Sequence, residues 1–222
     1  MTEHKTPSDI ERTSLAIISA ELASRGIVLP LEQAPLVKRV IHATADFDYA
    51  ENLRFTADAC TRAERALASG APIVTDTNMA LSGISRVALG KLQGCAECFM
   101  AEPSVAEEAK RENTTRAAIS MRKAAELMPA ALFAVGNAPT ALFELCRLLR
   151  EGLRPSLVLA VPVGFVNVVE AKEETISLCR ELDVPCIAAL GRKGGSTVAA
   201  AACNALLYSA ADLFDPEKRG WN

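Results

Sequence analysis

The sequence predicts an α/β fold, a doubly wound, mainly parallel sheet with helices on both faces. Two observations carry this expectation. In the C-terminal half, three apolar runs (Ala131 to Val135, Leu157 to Val161, Cys186 to Leu190) each close on a Gly- or Pro-bearing turn and lead into a helical pattern. Such alternation forms βαβ units, whose strands lie parallel and are covered on both sides. The composition agrees, since half of the 222 residues are hydrophobic but only 5% are aromatic. A core of Ala, Val, Leu and Ile suits helices packed closely on a sheet. No Pro/Ser-rich linker or short-period repeat divides the chain. It reads as one domain over 1–222, with a polar N-terminal tail at 1–9 and a C-terminal tail at 210–222.

In order, Ser8 and Glu11 have capping-box spacing, Ile10, Leu15, Ile18 and Leu22 give a helical apolar stripe, and Gly26 can stop that helix. Leu36, Val37, Val40 and Ile41 mark a second helix. A third is expected over much of Glu51 to Ser69, ending before Gly70. Pro72 to Asp76 reads as a short buried strand whose polar end feeds a turn at Thr77 to Ser82. The first C-terminal run closes on Gly136-Asn137, with Asn137 the expected cap for a helix over Pro139 to Arg150. The second closes on Pro162-Val163-Gly164 before a helix reaching Leu182. The third closes on Gly191-Arg192-Lys193-Gly194-Gly195-Ser196 before an Ala-rich helix to about Tyr208. In doubly wound folds the site lies beyond the carboxyl ends of the strands, which makes these turns the place to seek chemistry.

The net charge of −3, from 24 basic and 27 acidic residues, argues against a nucleic-acid partner. No segment has the roughly 18 uncharged apolar residues of a membrane span, and Met1 to Arg12 lacks a signal-peptide stretch, so a cytoplasmic protein without a membrane partner is expected. Seven cysteines, mostly in apolar patterns, read as reduced core residues. Cys95-Ala96-Glu97-Cys98 has C-x-x-C spacing, but without a second pair it does not complete a zinc site, and no metal is expected.

The chain has two histidines, His4 in the polar N-terminal stretch and His42 where the second helical pattern runs out. Carbonyl groups at a helix C-terminus favour imidazolium, and a group titrating near neutrality at such an end is the natural candidate for moving a proton. Read alone, His42 is equally a cap or a gap-filler. Arg192 and Lys193 adjoin a flexible backbone at a helix start, where exposed amides and the dipole form an anion site. The order is neither a Walker A loop nor G-x-G-x-x-G, so nucleotide binding has little support. In Asn113-Thr114-Thr115-Arg116 a guanidinium occupies an expected first helical turn, where the dipole does not favour it. An external anion is one explanation for Arg116, and an ordinary surface position the other. Ser14, judged alone, is a helix-surface hydroxyl.

Four stretches carry a specific resemblance: His42-Ala43-Thr44-Ala45-Asp46-Phe47, Gly136-Asn137-Ala138-Pro139-Thr140-Ala141-Leu142, Val161-Pro162-Val163-Gly164-Phe165-Val166, and Gly191 to Ser196. Occurring in the family's order, they resemble the precorrin-8X methylmutases of cobalamin biosynthesis, from about Ile10 to Tyr208. Ala117 departs from a common serine, and Asn167-Val168-Val169 from a small-residue stretch. The resemblance implies a 1,5-sigmatropic shift of a methyl group from carbon 11 to carbon 12 of a corrin precursor, giving hydrogenobyrinate or its cobalt form, cobyrinate. It implies no redox or nucleotide cofactor, a corrinoid as substrate and product, and a homodimer whose pocket both subunits share or border. His42 takes the acid/base role by this match. Ser14 and Arg116 take substrate contacts, as do Arg192, Lys193, Gly194, Gly195 and Ser196 of the Gly-rich turn and Asn137 and Thr140 of the second motif. A non-catalytic corrinoid carrier is the alternative. A phosphate-ester enzyme would need a metal-binding carboxylate set that the chain does not offer.

Overall fold

The structure, a computed structural model, describes residues 6–220. Its elements are α1 (Pro7–Ser24), α2 (Ala34–Thr44), α3 (Tyr49–Asn52), β1 (Leu53–Phe55), α4 (Ala59–Ala68), β2 (Ile73–Thr75), α5 (Asn78–Ser82), α6 (Arg86–Lys91), β3 (Ala96–Glu97), α7 (Pro103–Arg111), α8 (Arg116–Leu127), β4 (Leu132–Val135), α9 (Pro139–Arg150), β5 (Leu157–Ala160), α10 (Val168–Glu181), β6 (Cys186–Ala189) and α11 (Ser196–Ala210), followed by a 3-10 turn, Pro216–Arg219. The strands form one six-stranded sheet in the order β1-β6-β5-β4-β2-β3, parallel except for β1. The expected doubly wound α/β fold is therefore present.

Each central strand is an unbroken apolar run because both faces are covered. Successive residues face opposite layers: Leu132, Ala134, Leu157, Leu159, Ile187 and Ala189 join the core under α2, α4 and α11. Phe133, Val135, Val158, Ala160, Cys186 and Ala188 join the core under α7 to α10. The Ala-rich sequence of α11 serves its position, since small side chains let α2 and α5 approach it closely. A Cβ at Gly83, just past α5, would sit 2.7 Å from the Ala200 methyl.

Four local expectations are corrected. Thr6, not Ser8, caps α1, its hydroxyl accepting from the Asp9 amide, and Glu11 is buried. The expected third helix is interrupted by β1, whose Leu53 and Phe55 pair with Ala189 and Ile187 on the sheet edge. Asn137 is not a cap; Ala138 holds that position. Finally, the helix begins at Pro7 inside the expected N-terminal tail, and the expected C-terminal tail contains the 3-10 turn with its buried Arg219. His4 lies outside the described residues. Five cysteines are buried and free, but Cys95 is exposed and Cys98 half-buried, at either side of the edge strand β3.

Candidate active site

Strand order reverses between β2 and β4, whose following connections run to opposite edges of the sheet. The crevice at such a point is where ligands bind in doubly wound folds. Here a side chain of the protein fills it. Asp76, at the end of β2 and fully buried, accepts 2.8 Å hydrogen bonds from the Gly136, Asn137 and Ala138 amides at the start of α9. Burial pushes its carboxyl above the ordinary value, against the pull of those amides. The amides around Asn137, a residue that the resemblance assigns to substrate contact, are thus bound by a side chain of the protein itself.

The Gly-rich turn is likewise packed rather than open. A Cβ at Gly194 would sit 2.6 Å from the Pro162 carbonyl oxygen, and one at Gly136 would sit 2.9 Å from Ser196 Cα. Glycine is needed there for close approach of backbones. Ser196 shares a 2.8 Å hydrogen bond with Thr77, and Lys193 pairs with Asp46 and Asp48 at 2.6 Å. Arg192 lies 5.4 Å from the centroid of the exposed Phe165 ring.

Beneath this turn Lys172 is fully buried, donating to the Gly191 and Lys193 carbonyls at 2.9 and 2.8 Å. Burial lowers its amine from 10.5 to about 8. Between those values the unfolded chain holds the proton that the folded chain has lost, so stability should rise with pH across that window. Relative to a Lys172→Met variant, denaturant titrations should show wild-type gaining about 2 kcal/mol between pH 7 and pH 10; a constant difference would refute the lowered value.

A cavity of about 610 Å³ opens elsewhere, on the outer face of α11. It is lined by Arg39, His42 and Ala43 of α2, by Met79, Gly83, Ser85 and Val87 around α5 and α6, by Thr197, Ala200, Ala201, Asn204 and Tyr208 of α11, and by Arg219. The wall opposite His42 is fixed by Asn204, which accepts from the Ser85 amide and donates to the Gly83 carbonyl, both at 2.8 Å. Tyr208 is the aromatic floor under two cations: the Arg39 and Arg219 guanidinium carbons lie 5.2 and 4.3 Å from its ring centroid.

His42 is in the last turn of α2, which ends on Ala45 in the left-handed conformation. The helix end favours a charged imidazole, but it does not dominate. Burial, then the charge of Arg39 and, more weakly, Arg219 hold the His42 pKa below 6.5 in the free protein, with Glu11 opposing them.

Of the residues singled out in the sequence, this cavity's lining includes His42 alone. Ser14 is half-buried on α1, one turn from Glu11. Arg116 is exposed at the first position of α8, and the preceding Thr115 shares a 2.8 Å hydrogen bond with Thr140, so Arg116, Thr140 and Asn137 gather at the start of α9, apart from the cavity lining. The sequence reading missed Arg39, Asn204, Tyr208 and Arg219. Among the described residues no group of three or more His, Cys, Asp or Glu is placed to hold a metal, and no helix is long and apolar enough to cross a membrane.

Comparison with known proteins decides the family. The model of the precorrin-8X methylmutase family matches residues 9–209. The chain belongs to that family. A cobalt-precorrin-8 methylmutase of Priestia megaterium is 45% identical over 90% of the chain and 87% of its own length. That of Salmonella typhimurium is 44% identical, over 91% and 95%. The solved precorrin-8X methylmutase of Thermus thermophilus superposes with a TM-score of 0.82 at 39% identity, covering 91% of this chain and 98% of that one. The chain therefore shares fold and sequence with these relatives over about nine-tenths of its length.

Proposed function

We propose that the chain is an isomerase that moves a methyl group from carbon 11 to carbon 12 of a precorrin-8-type corrinoid, giving hydrogenobyrinate or, with cobalt, cobyrinate. The observation that carries this reading is the position of His42, the only histidine among the described residues, on the wall of a cavity flanked by Arg39 and Arg219. The protonated imidazole donates a proton to the macrocycle, the methyl–carbon 11 bond weakens, the methyl migrates to carbon 12, and the imidazole recovers the proton. Substrate and product are isomers, so no co-reactant is consumed.

Proton donation requires a charged imidazole, which the two guanidinium groups disfavour in the free protein. Acetate and propionate groups of the ligand beside them reverse that balance, because opposite charge nearby favours the protonated form. Binding thus loads the acid. The proposal includes a cytoplasmic homodimer, with no nucleic acid as partner. It is supported by the separation of Arg116, Asn137 and Thr140 from the His42 cavity, since a pocket bordered by two subunits lets one protomer's arginine reach the other's ligand. The exposed Val163, Phe165 and Val166 supply apolar surface for such a contact.

Metal-free and cobalt-loaded substrate, each incubated with the protein and followed by absorption spectroscopy, test this directly. Spectral conversion of either supports the isomerase. Binding without conversion of both would favour the corrinoid carrier. The names of the Priestia and Salmonella relatives favour the cobalt form. Arg116→Ala, and separately Arg192→Ala with Lys193→Ala, should weaken corrinoid binding in titration calorimetry by about 1.5–3 kcal/mol without unfolding the protein. The arginine variant should show the larger loss, because Lys193 already pairs with two aspartates. Unchanged affinity in both would remove these turns from the binding site.

A further inference from the structure

Glu11 is a carboxylate where the fold should want a leucine. With Leu15, Ile18 and Leu22 it forms the inward stripe of α1, and it is only 2% exposed. Its Oε1 accepts hydrogen bonds of 2.6 Å from both Arg39 of α2 and Arg219 of the 3-10 turn. Those two guanidinium groups lie over the Tyr208 ring, and all three side chains line the His42 cavity. Arg39 is one helical turn before His42. One carboxylate thus gathers two cations from distant parts of the chain onto one wall and offsets part of their charge.

We propose that Glu11 is a positioning residue for this site: it fixes Arg39 and Arg219 as a single face with Tyr208 and offsets part of their charge at His42. The inference rests on reading this cavity as the reaction site. A carboxylate is needed because two guanidinium groups brought together on one ring repel each other, and a buried cation without a partner is costly. Burial pushes the Glu11 carboxyl up, but the hydrogen bonds and charges of Arg39 and Arg219 outweigh it and hold the group ionised, below its ordinary value. Among the described residues, the charged groups acting on His42 come from three elements: Glu11 from α1, Arg39 from α2 and Arg219 from the 3-10 turn. α11 contributes Tyr208 and no charged side chain, and α5 and α6 present Met79, Ser85 and Val87 to the same space.

The signs of these influences give a test that a merely structural role would fail. In a His4→Gln background His42 is the single histidine, and its titration is read by nuclear magnetic resonance in the full-length protein without ligand. Glu11→Gln keeps the shape and an oxygen acceptor but removes the negative charge, so the His42 midpoint should move down. Arg219→Gln removes a positive charge from the same cluster, and the midpoint should move up. Opposite shifts support the proposal; unchanged midpoints, or two shifts of the same sign, overturn it. If Glu11→Gln does not fold, as judged by circular dichroism, the Arg219→Gln arm decides alone, an upward shift supporting the proposal and an unmoved midpoint overturning it. With substrate, the alkaline limb of the rate profile should follow the midpoint in each variant. Opposite midpoint shifts with a stationary rate limb would leave the role of Glu11 intact and remove His42 as the proton donor.

Discussion

His42→Ala is expected to lose nearly all turnover while keeping affinity for the corrin product. The imidazole supplies one proton and a small part of a cavity wall that is otherwise lined by Met79, Val87, Ala200, Ala201 and Tyr208. General acid–base catalysis contributes about 10²–10⁴-fold, so the rate should fall by that factor and binding by little. The pH dependence follows with a definite sign. A proton donor works below its pKa, and the free protein holds His42 below 6.5, mainly through burial and Arg39. The alkaline fall of kcat/KM, which reports the free enzyme, should therefore lie below the ordinary histidine range. The fall of kcat, which reports the complex, should lie higher, because substrate carboxylates beside Arg39 and Arg219 raise the imidazole's pKa. Coincident limbs would mean that the ligand does not load the acid. A variant keeping more than about half the wild-type rate would remove His42 from the mechanism.

How much of this was legible depended on whether a feature is local. β4, β5 and β6 are short runs buried on both faces and bounded by Gly or Pro, so their expected limits fall within a residue or two of those observed. His42 was legible because the apolar stripe of α2 stops beside it. Leu53-Arg54-Phe55 was not, since three residues carry too little period to separate strand from helix, and pairing with β6 decides the matter. The cavity was hidden for the same reason. Glu11 and Arg219 are 208 positions apart and meet only in the folded chain. One signal was available: positions 11, 15, 18 and 22 form a better inward stripe than one starting at Ile10, which is 55% exposed, and a carboxylate in that stripe calls for a buried partner. The packing behind the strand-end turns was hidden for the same reason: Asp76 takes the Gly136, Asn137 and Ala138 amides at one turn, and close backbone approach requires glycine at the other, contacts that exist only between segments distant in the chain.

Asp76→Ala should produce one of the largest stability losses of any single substitution in this protein. The carboxylate joins the end of β2 to the first turn of α9 at the point where strand order reverses, just past the parallel β2–β4 ladder, which ends on the Asp76 amide's 3.3 Å bond to the Ala134 carbonyl. Alanine leaves three amide donors without their acceptor, one of them, on Gly136, fully enclosed. A buried unsatisfied donor costs about 1–3 kcal/mol, and the two partly exposed amides recover some bonding from water. The expected loss is about 3 kcal/mol, which for a chain of this size lowers Tm by roughly 6–12 °C. Asp76→Asn should cost less, because its oxygen still accepts from Asn137 and Ala138 while its amino group faces the Gly136 N–H. The order wild-type, Asn, Ala in thermal unfolding is the decisive observation. Equal melting of Asn and Ala variants would show that the enclosed Gly136 donor, and not the three-amide cradle, sets the cost; an alanine variant melting within about 2 °C of wild-type would show that the crevice does not depend on its internal anion.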